Sequence, residues 1–332
     1  MTARDLAKRT LLDSGLLRLA AGIHGAGAAI LMYHSVQEYP SLQADSLGGI
    51  VHSEQVFRQQ MELLAREFHP LNLENLVILL RTEEKIPERS VVVTFDDGYR
   101  DNFENAMPVL DQVGIAAAFY VTVECVEKRH LPWPSRVRYA VRTSERKMWK
   151  DPDGALWPLE TEADRDRAFA KACEYCCKLA GATQEALVAS IAIDLDTGFP
   201  PGSDQLMMDW NEVRKLAEHG HVVGSHTLSH PNLAQLPVSE ARAELGLSRA
   251  CLEEQLKRPV KHFSYPCPAL SPHWNEQTIQ ECQHVGYETA VVTDGGLARR
   301  HDNPFCLRRV RPSKTVEGLR WNLEWAFAGR KM

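Results

Sequence analysis

Short apolar runs alternate along this chain with longer stretches in which apolar positions recur every three or four residues. The runs predict buried strands at 28–33, 91–95, 115–123, 221–225, 262–266 and 287–293. The stretches predict amphipathic helices. The clearest begins near Glu54, where Phe57, Met61, Leu64, Ala65 and Phe68 fall on one face. Further helices are expected over 101–113, 210–219 and 238–257. Local punctuation agrees, since Gly114 and Gly220 sit where helices should stop and Asp209 where one should start. Ser271-Pro272 reads as an N-cap and first-turn pair for a helix running to about His284. Strands and helices alternating in this way require a parallel sheet, so the chain reads as α/β.

Two regions depart from the pattern. Residues 125–208 form an insertion, with a β-hairpin expected around Asp151-Pro152-Asp153-Gly154 and one or two helices, one of them over 164–180. We expect this insertion to pack beside the functional site and shape access to it. At the N-terminus, one amphipathic helix is expected over roughly 4–22, capping the fold or touching a membrane surface. The apolar stretch 16–29 is interrupted by Arg18 and His24 and is too short for a bilayer span. Cytoplasmic placement is therefore expected, with peripheral membrane contact as the alternative.

Composition narrows the function classes. The 332 residues suffice for one large α/β domain or two smaller ones. A net charge of −6 gives no general basis for binding nucleic acid. Arg299, Arg300, Arg308, Arg309, Arg311 and Lys314 nevertheless gather late in the chain. They read as a solvated face, with a phosphate-binding patch as the sharper alternative. The eight cysteines are scattered without a disulfide framework. Cys173, Cys176 and Cys177 share one helical face and should pack as small apolar groups.

The chemistry concentrates in two motifs. Thr94-Phe95-Asp96-Asp97-Gly98 follows the apolar run 91–93 and places two carboxylates at a strand end. Adjacent carboxylates are costly to bury unless a cation or proton is shared between them. His226-Thr227-Leu228-Ser229-His230 closes another apolar run and offers two imidazoles four positions apart. Taken alone, each has a plainer reading, a turn in one case and a polar pair in the other. Together they make a two-His, one-Asp ligand set that leaves coordination positions open, suited to Zn²⁺ or Fe²⁺. The carboxylate left off the metal could accept a proton from a metal-bound water.

On these residues the chain resembles the polysaccharide deacetylases, the NodB-homology or carbohydrate esterase family 4 enzymes. Thr94–Gly98 is similar to that family's first motif and His226–His230 to its second, and the segment from Ile30 to Val36 resembles the opening strand of one branch. The likeness covers roughly 28–125 and 206–312. It implies a distorted (β/α)₇-type barrel spanning 28–332, preceded by the N-terminal helix. It further implies Asp96 as general base and Asp97, His226 and His230 as metal ligands. The expected cofactor is one divalent ion, Zn²⁺ first, with Fe²⁺, Co²⁺ or Ni²⁺ as alternatives. Phe263–Pro268 lies where the third motif falls, so Tyr265, Pro266 and Cys267 are expected at the substrate, with the Cys267 N–H on the oxyanion. Leu307-Arg308-Arg309-Val310 is similar to a late family segment and adds Arg309 as a substrate or oxyanion residue.

Departures from the family pattern shape the rest of the expectation. Ser264 stands where many members carry the arginine that orients the base. Cys267 and Pro268 replace an aromatic residue and a glycine. No Leu-x-His acid motif appears, which leaves His34 as the candidate acid. The expected function is metal-dependent hydrolysis of an N-acyl group, acetyl foremost, from an amino sugar in a polysaccharide or lipid-linked precursor. The alternative is a catalytically weakened carbohydrate-binding protein on the same fold.

Overall fold

The computed structural model describes residues 3–23, 27–38, 49–198, 200 and 202–330. Its centre is a closed barrel of seven parallel strands, a distorted (β/α)₇-type barrel. We number them β1 (Ala28–Tyr33), β2 (Ser90–Phe95), β3 (Ala118–Val121), β4 (Val222–Ser225), β5 (His262–Ser264), β6 (Thr289–Gly295) and β7 (Leu307–Val310). Around the barrel the order is β1, β7, β6, β5, β4, β3, β2, and β1 pairs with β2 to close it. The distortion is local. β4 and β5 register through a single pair, Phe263 with Ser225, and β6 slips against β7 between Val291 and Gly295.

Strand periodicity decides which side chains meet inside. Alternate residues of a strand face opposite sides of the sheet. One set (Leu31, Val93, Phe95 and Phe119) packs outward against Phe57, Met61 and Leu64 of the helix Glu54–Glu67. The other set (Ile30, Val92, Tyr120, Val291 and Leu307) forms a second cluster with Leu73 and Leu76 of the helix Leu73–Arg81. Counting on by two from this inner set reaches His34, Asp96 and Arg309. Parity alone thus aims those three towards the C-terminal mouth of the barrel.

Several local expectations are corrected. The N-terminal segment is two helices, Ala3–Asp13 and Leu16–Ile23, because Gly15 turns the chain at φ 72°. Residues 24–26, which include His24, lie outside the described residues. The pair packs on the helix Val316–Phe327, with the Lys8 ammonium 5.2 Å from the Trp321 ring centre and Arg18 3.5 Å from Glu324. The first turn after the Asp-Asp-Gly motif is a π-turn over Asn102–Ala106 before the α-helix Met107–Val113. The helix expected from Ser271-Pro272 starts instead after Asn275, whose side chain accepts from the Thr278 N–H while Thr278 answers the Asn275 N–H. That reciprocal cap satisfies two end groups at once.

The stretch that interrupts the alternation builds its own hydrophobic cluster. Helices Trp133–Thr143, Glu162–Cys176 and Gly181–Asp194 pack together around Trp133, Val137, Trp149 and Val188. The antiparallel strands Met148–Lys150 and Leu156–Pro158 make the hairpin. Cys173, Cys176 and Cys177 are buried in this cluster, and burial pushes all three thiols up, the last two to about 12. They pack as apolar side chains. Among the described residues no helix is long and apolar enough to cross a membrane.

Candidate active site

Asp96 and Asp97 follow β2 directly, and their backbone geometry splits the pair. The Asp96 N–H donates to the Tyr33 carbonyl of β1, keeping Asp96 in line with the strand. Asp97 has φ 77°, and Gly98 follows at φ 91°, so the chain folds over and Asp97 is redirected. A left-handed backbone at a residue other than glycine costs about 1–3 kcal/mol and persists where the surroundings enforce it. The second motif repeats the feature twice, at Thr227 (φ 69°) and His230 (φ 64°). Sequence inspection gave no sign of these three positions.

The turns bring three side chains together. Asp97 Oδ1 lies 3.4 Å from His226 Nε2 and 3.2 Å from His230 Nε2. All three residues are buried, and their candidate ligand atoms lie within 4.8 Å of one another. His226 Nδ1 sits 2.7 Å from the Ser264 carbonyl oxygen. A carbonyl only accepts, so Nδ1 carries hydrogen, and Nε2 faces Asp97 with a lone pair when the ring is neutral and with a proton when it is charged. A carboxylate oxygen and an imidazole lone pair that face each other in a buried site require a cation or a proton between them. Asp97 Oδ1 has no hydrogen-bond donor of normal geometry, which fits a divalent ion.

The second-motif loop is held from outside. The buried Glu244 carboxylate accepts from the N–H groups of Leu228 (3.0 Å) and Ser229 (2.9 Å) and from the Ser229 hydroxyl (2.6 Å). The Trp133 indole donates to the His230 carbonyl at 2.9 Å, so the insertion also fixes this loop. Neither partner was legible beforehand. Trp133 lies 97 positions from His230 and Glu244 sits on the next α-helix, and neither carries a local signature.

Asp96 has a different partner. The Arg309 guanidinium donates to both its oxygens, at 2.8 and 2.7 Å, and its Nε–H donates to the Val292 carbonyl at 3.1 Å. Burial alone would raise the Asp96 carboxyl. The charges of Arg309 and His226 more than offset it, so its pKa lies below the ordinary value. For Asp97 burial again pushes upward, and the two histidines overcome it and hold the carboxyl well below the usual range.

Arg309 is thus a positioning residue for Asp96. It is fully buried and does not line the cavity, contrary to the substrate role expected for it. The late basic residues also fail to form one face, because Arg309 is internal, Arg300 pairs with Glu83, and Arg311 and Lys314 reach the cavity.

The cavity at the barrel mouth has a volume of about 390 Å³. His34, Asp96, Asp97, His226 and His230 share its floor with Tyr265 and Cys267. Pro266 is buried and does not line it. Tyr265 shows the cavity only part of its ring, which packs edge-on against Phe263 at 5.1 Å between ring centres. The Cys267 thiol stands 3.1 Å from His273 Nε2, and burial raises its pKa. Burial lowers the pKa of His34, although Asp97 and Asp96 pull the other way. The insertion lines one side through Pro132, Pro134, Ser135, Arg138 and Phe169.

Known proteins share both sequence and fold with this chain. The family model described as polysaccharide deacetylase matches residues 83–156 and 168–290, and so spans both motifs and much of the insertion. The Bacillus subtilis (strain 168) protein YxkH, named for that activity, is 22% identical over 291 residues, covering 87% of this chain and 72% of its own length. Streptococcus pyogenes deacetylase PplD in complex with acetate shares the fold at a TM-score of 0.61 and 18% identity. That alignment covers 90% of this chain and 99% of PplD. IcaB from Ammonifex degensii aligns at 0.58 and 18% identity, over 91% of this chain and 98% of IcaB. β1 and Arg309 fall outside the matched family segments, so the clamp on Asp96 was visible only in three dimensions. With both motifs and the barrel that carries them accounted for, the chain belongs to the polysaccharide deacetylase family.

Proposed function

We propose that this protein is a divalent-metal-dependent hydrolase that removes an N-acyl group, acetyl foremost, from an amino sugar of a polysaccharide or lipid-linked glycan precursor. The family deacetylates glycans, and the reading rests on one arrangement. Asp97, His226 and His230 converge beside a second carboxylate, Asp96, that is held by Arg309 and kept out of the cluster. Asp97, His226 and His230 would hold the ion, with Zn²⁺ the first choice for a two-imidazole, one-carboxylate set with open positions. When bound, a divalent ion acidifies water and polarises an acyl oxygen.

The chain's own groups supply the remainder. Asp96, ionised and fixed in direction, accepts the proton of the attacking water. The Cys267 N–H donates to the oxyanion. His34 faces the same cavity outside the ligand set and delivers a proton to the departing amine. Because burial favours its neutral form, His34 takes that proton from Asp96 within the reaction. The acetate held by the PplD structure is the product such a reaction would release. A weakened, binding-only site was suggested by Ser264 in place of an orienting arginine and by the altered third motif at Cys267 and Pro268, and Arg309 on Asp96 supports the catalytic reading over it.

The test combines metal analysis of the purified protein with a deacylation screen over N-acetylglucosamine oligomers and lipid-linked amino sugars. We expect about one divalent ion per chain and release of acetate that Asp96→Asn abolishes. Acetate release undiminished in that variant would refute the mechanism.

A further inference from the structure

Among the described residues, three cations on the cavity wall lack acidic partners. Arg138 comes from the insertion and Arg311 and Lys314 from the segment after β7, and all three line the cavity. Elsewhere many arginines are matched to carboxylates, as in Arg58 with Glu54, Arg100 with Glu212 and Arg136 with Glu185. Among the described residues, none of the three lies within 4.0 Å of a carboxylate oxygen. Arg138 is instead stacked on the Phe169 ring, 4.6 Å from its centre. Lys314 donates to the Val51 carbonyl and lies 3.4 Å from His52 Nδ1. Partial desolvation pulls the Lys314 ammonium down to about 8, although the residue as a whole is exposed.

The carboxylates lining the cavity are already committed. Asp96 is neutralised by Arg309, and Asp97 belongs to the imidazole cluster. Among the described lining residues, three cations against the single remaining carboxylate leave a surplus of two positive charges before any divalent ion adds its own. The chain as a whole carries −6, so this surplus is a property of the cavity and not of the protein surface in general. Arg138 is half-buried, whereas Arg311 and Lys314 are exposed at the cavity rim, so an anion entering the mouth faces three cations that no carboxylate already holds.

Building on the deacylase reading, we infer that the acyl amino sugar taken by this site carries an anionic group, a phosphate or a carboxylate, neutralised by Arg138, Arg311 and Lys314. The insertion therefore selects substrate as well as bracing the second-motif loop. A neutral glycan would leave the cations unmatched and bind more weakly.

The test measures binding to the metal-free full-length protein by titration calorimetry, so that no anion is held by an ion. The probes are N-acetylglucosamine 1-phosphate, N-acetylmuramic acid and neutral N-acetylglucosamine, at low and high salt. At least one anionic probe is expected to bind about tenfold or more tightly than the neutral sugar, the better of the two identifying phosphate or carboxylate. That advantage should shrink at high salt and fall towards unity in Arg138→Gln, Arg311→Gln and Lys314→Gln, with melting curves confirming that each variant is folded. Equal affinity for all three probes, or an advantage that survives all three substitutions, would overturn the inference. In the first case Asp96-dependent hydrolysis of a neutral oligomer by the metal-loaded enzyme would leave the deacylase reading standing.

Discussion

Arg309 grips both oxygens of Asp96 with two parallel N–H donors, and neither side chain is more than 3% exposed. The two residues are 213 positions apart. They meet because β7 lies beside β1, and β1 beside β2, with Ile30 in register with both Arg309 and Val92. Replacing Arg309 by Met leaves a buried carboxylate uncompensated, which costs about 3–5 kcal/mol where such pairs are broken. We expect a large drop in kcat and a lower melting temperature, with metal content retained. Steady-state kinetics and calorimetric melts check this.

The same pair sets an acid-side dependence. The folded pKa of Asp96 lies below its ordinary value, so its contribution to stability is complete above the unfolded value of about 4. It is lost as pH falls through the lower folded value. Urea midpoints of the wild type should therefore decline on acidification below about pH 4, and those of Arg309→Met should decline less over that range.

Asp97→Asn and Asp96→Asn should separate binding from turnover. The first removes a ligand and should lower bound metal, measured by elemental analysis. It should also lose the stabilisation a ligand gives, about 2.7 kcal/mol at a hundred times its Kd. The second should keep the metal and lose about 10²–10⁴ in rate.

Glu244 touches neither the proposed ion nor the substrate, yet it accepts three hydrogen bonds from the loop between the two histidines. Glu244→Leu should weaken metal affinity about 10–100-fold, and Glu244→Gln should restore part of it. Competition against a chromogenic chelator reads this directly. A merely structural role would lower the melting temperature of both variants and leave metal affinity unchanged.

Gly224 sits in β4, immediately ahead of the second motif. A Cβ there would meet the Tyr120 ring at 2.6 Å and the His262 carbonyl at 2.8 Å. Gly224→Ala should destabilise by about 1–3 kcal/mol through overpacking and shift His226 off its carbonyl partner. The check is a paired measurement of urea midpoint and metal stoichiometry.

The strands and helices of the barrel were legible because apolar runs and helical stripes report burial directly, and capping residues such as Asp209 mark their ends. The convergence of Asp97, His226 and His230 was legible because adjacent carboxylates and spaced imidazoles are costly without a purpose. Arg309 could be singled out by likeness, but its contact with Asp96 depends on strand order, which periodicity does not encode. Glu244 and Trp133 gave no signal, since their value lies in backbone groups of a loop whose fold neither residue's own sequence encodes. The start of the helix after Pro272 was misread because Ser271 and Asn275 are both good caps, and only Asn275 has a partner three residues on.

Arg309 ties the charge balance of Asp96 to the last strand of the barrel. A nascent polypeptide that has emerged only as far as residue 306 possesses both motifs, yet Asp96 is left without a counter-ion inside a cylinder missing one stave. Docking of β7 thereby closes the barrel and supplies the charge that balances Asp96 in a single step.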